Sequence, residues 1–246
     1  MLEIPDSSVI GTAVRAKTVF LFDVDNTLLD NDRVTGDLRA YLESELGHER
    51  QERYWSIFQE LWSELGYADY LGALQRYRRT YPRDLHVLTV SRFLLEYPFH
   101  ERLLPNALEV VDSVKQVGVP VILSDGDVVF QPHKIRRSGL YDEFDGAVLI
   151  YVHKELDLED VARRYPADHY VLIDDKLRIL NAVKDVWSHR VSTVFVRQGH
   201  YARDLKAISN YRPADYTIER IADLLKLDLS SREHHERHKL RLPVAS

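Results

Sequence analysis

Two aspartates stand two residues apart in Asp23-Val-Asp-Asn-Thr-Leu28, and a second acidic pair, Asp174-Asp175, comes late in the chain. Carboxylates brought together repel one another unless a cation joins them. A site of oxygen ligands that keeps some water suits Mg²⁺. Between the two pairs lie Ser124, in Ser124-Asp-Gly-Asp127, and Lys154, in His153-Lys154. A hydroxyl and an ammonium beside clustered carboxylates suit a phosphate. Together these residue types point to phosphoryl chemistry.

The elements that carry these residues are legible in the apolar pattern. Thr18–Val24, Val119–Leu123, Ala147–Val152 and His169–Ile173 are short apolar runs, and the four groups follow them in turn. A fifth run covers Ser192–Val196. Continuous runs of this length predict strands buried on both faces. Pro105–Val117, Leu158–Tyr165, Lys176–Val186 and Ile218–Leu227 carry apolar residues at helical spacing. Strands alternating with helices predict an α/β fold with a Rossmann-like parallel sheet covered on both faces. Such sheets bind ligands at the carboxyl ends of their strands, where these groups fall.

Between Val24 and Val119 no strand is evident, and four amphipathic stripes take its place. They are Leu38–Leu46, Tyr54–Leu65, Tyr70–Tyr81 and Leu85–Leu94. A connection this long is no plain crossover. The pattern predicts an inserted helical cap domain over 30–103, with the core formed by 1–29 and 104–230. Residues 1–16 read as an arm, and 231–246, with His234, His235 and His238, as a polar tail. The crossings at 28–34 and 98–104 are the expected hinges. Trp55, Phe58 and Trp62 are expected in the core of the insert. Arg76, Arg78 and Arg79 read either as a grip for an anionic substrate or as an exposed helix face.

Composition narrows the function classes. The chain has 246 residues, a net charge of −6 and no cysteine. The absence of cysteine removes disulfide scaffolds, Cys nucleophiles and Cys-ligated zinc. The acidic balance argues against nucleic acid as a partner. No apolar run reaches the roughly 18 residues of a membrane span, and the first residues do not resemble a signal peptide, so a cytoplasmic protein is expected.

The four groups in this order resemble the motifs of the haloacid-dehalogenase-like (HAD) superfamily, over about residues 18–200, with the insert similar to a C1-type cap. The resemblance implies a Mg²⁺-dependent phosphatase of a small phosphorylated metabolite. It makes Asp23 the nucleophile, forming an aspartyl-phosphate, and Asp25 the acid and then the base. It gives the metal a side-chain oxygen of Asp23, the main-chain oxygen of Asp25 and the carboxylate of Asp174, with Asp175 as a further ligand or an orienting group. Ser124 and Lys154 would hold the phosphoryl oxygens. The family often has Asn or another small polar residue after the motif-two hydroxyl, where this chain has Asp125 and then Asp127, so their role is open.

Plainer readings compete at single positions. Ser124 and Asp175 could cap helices, Lys134 rivals Lys154 as the phosphate lysine, and His133, His153 and His200 read as structural or surface groups. A phosphomutase would use the same residues. A dehalogenase of the family works without Mg²⁺ and lacks the second motif-one aspartate, which here is Asp25. A non-catalytic binding module on the same fold is the remaining alternative.

Overall fold

The computed structural model describes residues 15–227. Most of the expected arm and all of the expected tail, with His234, His235 and His238, lie outside the described residues. Six strands form one parallel sheet: β1 (Ala16–Phe22), β2 (Val119–Asp125), β3 (Val148–Tyr151), β4 (Ala167–Asp174), β5 (Val191–Val196) and β6 (Tyr216–Ile218). Their order is β3-β2-β1-β4-β5-β6. The first strand therefore lies in the middle, between β2 and β4. Its last residue, Phe22, pairs with Ile122 on one side and Ile173 on the other. That register brings Asp23, Ser124 and Asp174 to one edge of the sheet.

Between β1 and β2 lie α1 (Asn31–Leu46), α2 (His48–Leu65), α3 (Tyr70–Thr80) and α4 (His86–Glu96). The rest of the chain adds α5 (Ala107–Lys115), α6 (Phe130–Arg137), α7 (Leu140–Glu143), α8 (Leu158–Arg164), α9 (Leu177–Trp187) and α10 (Leu205–Ile208). Alternate side chains of each strand feed two apolar clusters, as the pleat requires. Phe20, Phe22, Val171 and Ile173 pack on one face, continuous with Leu38, Leu42, Tyr54 and Tyr77 of the helical insert. Val19, Leu21, Tyr170 and Leu172 pack on the other, against Leu180 and Val183 of α9.

The apolar stretch Ile218–Leu227 is not the helix its spacing predicts. Ile218 ends β6, paired with Val196, and a 3₁₀ helix follows over Ile221–Lys226. A three-residue strand is too short to show a period of two. Trp62 also departs from expectation, being 43% exposed, whereas Trp55 is buried.

The insert leaves and rejoins the core along paired backbone. Asp30 N donates to Arg102 O at 2.8 Å, Leu104 N donates to Leu28 O at 2.9 Å, and Leu29 bridges Leu103 antiparallel. Beside this ribbon, Tyr97 Oη donates to Asp37 Oδ2 at 2.5 Å, and Arg102 reaches the same oxygen at 3.1 Å. The three isolated histidines all join core to insert: His133 bonds Leu95 O, His200 bonds Asp32, and His153 lies against Gly66. Among the described residues no helix is long and apolar enough to cross a membrane.

Candidate active site

The turn after β1 sets the site. Val24 O accepts the N–H groups of Leu28 at 2.9 Å and Leu29 at 3.0 Å, which folds the chain sharply back. Asn26 takes the left-handed conformation, φ 62°, that Asn tolerates better than most residues. Its side chain donates to Asp32 Oδ1 and accepts from Asp32 N, each at 3.0 Å. Gly199 lies against it, and a Cβ there would overlap the Asn26 side chain. Gln198, just after β5, donates to Asn26 O and Thr27 O and accepts from Ile221 N, tying the turn to the 3₁₀ helix that follows β6.

Asp23 leaves this turn pointing into the protein, 2% exposed. Its Oδ1 accepts from Lys154 Nζ at 2.6 Å and its Oδ2 from Thr27 Oγ1 at 3.2 Å. Lys154 is fully buried. Its ammonium also lies 2.7 Å from Asp174 Oδ2 and donates to Leu123 O. Burial opposes that charge, but Asp174 and Asp23 outweigh it and hold the lysine well above its ordinary range. Burial likewise raises Asp174, to about 6, although Lys154 pulls it back. Burial pushes Asp175 well above the carboxylate range, against the attraction of Lys176.

Carboxylate oxygens of Asp23, Asp174 and Asp175 all lie within 4.8 Å of one another and all three residues are buried. Neither oxygen of Asp175 has a hydrogen-bond partner among the described residues. A buried, unpaired carboxylate costs several kcal/mol. The donor set is hard oxygen throughout, so the residues fit a small divalent cation of the Mg²⁺ kind.

Asp25 stands apart from that triad. Its Oδ1 accepts from Lys134 Nζ at 2.5 Å, and the same ammonium donates to Asn31 Oδ1 at 3.2 Å. Lys134 is 1% exposed. The two candidate lysines are therefore both in the site, on different aspartates. Ser124 caps no helix. Its hydroxyl is buried, accepts from Gln131 Nε2 at 2.9 Å and donates to Asp125 O at 3.2 Å. Asp127 lies just before α6 and accepts from Val129 N and Phe130 N. Asp125 accepts from Lys154 N at 2.8 Å, which fixes the segment that carries that lysine. The two extra carboxylates after Ser124 are thus spent on backbone.

The arginines of α3 are placed elsewhere. Arg76 makes a two-pronged pair with Glu64, and Arg78 and Arg79 are exposed in the last turn. Tyr70, in the first turn, is the α3 residue near the aspartates. Its hydroxyl bonds Thr35 Oγ1 at 3.0 Å and its ring meets Phe130 at 5.5 Å. At 1.5 Å per residue, Arg78 lies roughly 12 Å along the helix from it.

The family model of the haloacid dehalogenase-like hydrolases matches residues 17–186. The chain belongs to that family. This hydrolase is 59% identical to a haloacid dehalogenase-like hydrolase from Burkholderia xenovorans LB400, over 86% of its own length and 96% of the other, with a TM-score of 0.83. It also shares the fold of the HAD-hydrolase YfnB from Bacillus subtilis, bound to magnesium, at 19% identity, 86% and 98% coverage and a TM-score of 0.58. L-2-haloacid dehalogenase from Xanthobacter autotrophicus is as distant, at 19% identity, 86% and 98% coverage and a TM-score of 0.57. No curated protein matches.

Three residues of this hydrolase's site had no motif to mark them: Gln131 on Ser124, Gln198 behind the first turn, and Lys176 beside Asp175. Burial opposes the charge on Lys176, but Asp23, Asp175 and Asp174 outweigh it and keep it above the ordinary lysine range. Adjacency to Asp175 was the available signal.

Proposed function

We propose that this hydrolase is a Mg²⁺-dependent phosphatase of a small phosphorylated metabolite, working through an aspartyl-phosphate on Asp23. The observation that carries the reading is the second aspartate of the first turn. Asp25 is oriented by a buried lysine beside a nucleophile that shares a carboxylate triad. A dehalogenase has no use for that pair, and the shared fold with the Xanthobacter enzyme bears on architecture alone.

Asp23, Asp174 and Asp175 would hold the metal, with the main-chain oxygen of Asp25. Bound there, Mg²⁺ supplies positive charge against the phosphoryl oxygens. Lys154 and Ser124 hold those oxygens from the other strand ends, which is positioning plus charge neutralisation. An Asp23 carboxylate oxygen bonds to phosphorus as the bond to the leaving oxygen breaks. Asp25 gives its proton to that oxygen. As a carboxylate, Asp25 then takes a proton from water, which attacks phosphorus, frees Asp23 and releases phosphate. The helical insert acts as the cap, excluding bulk water during both steps.

The test is nitrophenol release from p-nitrophenyl phosphate. Turnover should require Mg²⁺, stop with a chelator and vanish in Asp23→Asn. Metal-independent release of halide from 2-chloropropionate, with no phosphatase activity, would replace this reading with the dehalogenase one.

A further inference from the structure

Lys176 is the one ammonium beside the triad that the phosphatase reading leaves without a task. It is half-buried and immediately precedes α9, its side chain making no capping bond. Among the described residues its Nζ has no hydrogen-bond acceptor and no ion pair within 4.0 Å; its contact is the ring of Tyr201, 5.1 Å from the ring centre. It follows Asp175 directly in the chain, whose carboxylate lies within 4.8 Å of those of Asp23 and Asp174, and all three charges act on it. The ammonium is thus close to the reaction centre but does not bridge the aspartates as Lys154 does.

Tyr201 continues the same wall. Its ring packs on His200 at 3.9 Å, and His200 is fixed by Asp32. Its hydroxyl makes no hydrogen bond among the described residues, yet it lies within electrostatic reach of Asp175, Asp25 and Asp32. Tyr70 of the insert is within electrostatic reach of both Asp25 and Tyr201. An ammonium and a phenol, both without acceptors among the described residues, therefore stand beside the first turn, which His200 and Asp32 link to them through Asn26 and which carries Asp25. The His200–Asp32 hydrogen bond and the tilted His200–Tyr201 ring contact hold that wall in place. Charge-assisted hydrogen bonds are among the stronger polar contacts available to a bound anion.

We propose that Lys176 and Tyr201 bind a carboxylate on the leaving group, so that the substrates of this enzyme are phosphate monoesters of hydroxy acids. The assignment rests on the phosphatase reading for the phosphate, while Arg76, Arg78 and Arg79 have no part in it. Neutral polyol phosphates would leave the ammonium unmatched and bind less well.

Phosphonates test this without turnover, because their C–P bond does not undergo ester hydrolysis. Calorimetry with Mg²⁺ compares 3-phosphonopropionate with ethylphosphonate, which lacks the carboxylate. The native chain should bind the first at least tenfold more tightly, the scale of one charged hydrogen bond. In Lys176→Met that ratio should fall to near one. Lys176→Arg should keep most of it and Tyr201→Phe should keep part. A native ratio near one, or a ratio that survives Lys176→Met, overturns the proposal and leaves Lys176 as a charge that balances the aspartates. Release of nitrophenol by the same native preparation reads the phosphatase assignment separately, so either can fail alone.

Discussion

Replacing Asp175 by Asn should make the metal-free protein more stable while removing most of its response to Mg²⁺. Asp175 is fully buried, with no hydrogen bond to either oxygen among the described residues, and its carboxylate sits within 4.8 Å of those of Asp23 and Asp174. At that separation and an effective dielectric near 20, each like-charge pair costs about 3–4 kcal/mol. Lys154 and Lys176 return much of this, and burial already pushes Asp175 toward its neutral form. The net relief on removing the charge is therefore about 1–3 kcal/mol. For a chain of this size that is a rise of about 2–12 °C in Tm. Ligand binding at 100 times Kd stabilises a fold by about 2.7 kcal/mol, and the native protein should gain on that scale from saturating Mg²⁺. Scanning calorimetry of both proteins, with a chelator and with Mg²⁺, gives all four values. A metal-free Asp175→Asn protein less stable than native, or one that gains as much from Mg²⁺, would refute the reasoning.

Other consequences follow from the same geometry. Asp25→Ala should slow phosphoenzyme formation strongly with an alkyl phosphate, by about 10²–10⁴, but mildly with p-nitrophenyl phosphate, giving a burst of nitrophenol in single-turnover traces; equal slowing with no burst would assign Asp25 to the metal alone. Lys134→Met should lower kcat more than it raises KM, because the ammonium orients Asp25 and holds Asn31; a pure KM effect would point to substrate contact instead. Gly66 has φ +80° and a Cβ there would overlap His153, so Gly66→Ala should destabilise by about 1–2 kcal/mol from backbone strain alone and raise KM by loosening the insert. Adding His153→Ala should recover the KM change but not the strain, and recovery of both would mean the conformation is not strained. Asp174 has a folded value of about 6 against an ordinary 3.8, so the native fold holds the extra proton between those values. The stability penalty from its charge grows as pH rises through that window and is complete above it. The Tm advantage of metal-free Asp174→Asn over native should therefore widen between pH 4.5 and 6.5, and a constant difference would contradict the assignment.

Much of the sheet was legible because parallel strands buried on both faces read as unbroken apolar runs. Val119–Leu123 and His169–Ile173 could be placed for that reason, and Asp23, Ser124, Lys154 and Asp174 fell at strand ends with them. The sixth strand was not legible, since Tyr216–Ile218 has too few residues for a pattern and its identity comes from pairing with β5. Lys154 could be preferred to its rival Lys134 because it directly follows an apolar run, but the task of Lys134, inside the helix after Ser124, was hidden; only packing sends it to Asp25 while Lys154 goes to Asp23. The tasks of Asp125 and Asp127 were hidden for a related reason. A carboxylate that holds a backbone N–H looks, in sequence, the same as one that holds a metal. Arg76 attracted notice for its charged neighbours on one helix face, while its partner Glu64 lies on the preceding helix.

The paired crossing at Leu28–Asp30 and Arg102–Leu104 has a consequence for how such a chain can change. The exit and the return of the insert are neighbours, bonded residue to residue. To the sheet, everything between them is a closed loop with a fixed footprint, whatever its length. Loop closure grows only slowly with loop length, about 0.6 kcal/mol for each doubling. A shorter or longer helical array could be spliced at this ribbon and leave the strand order and the aspartate cluster as they are. Grafting α1–α4 from a relative with a different substrate onto this core, cut at 29 and 103, should therefore exchange preference while the chemistry stays with the strand ends.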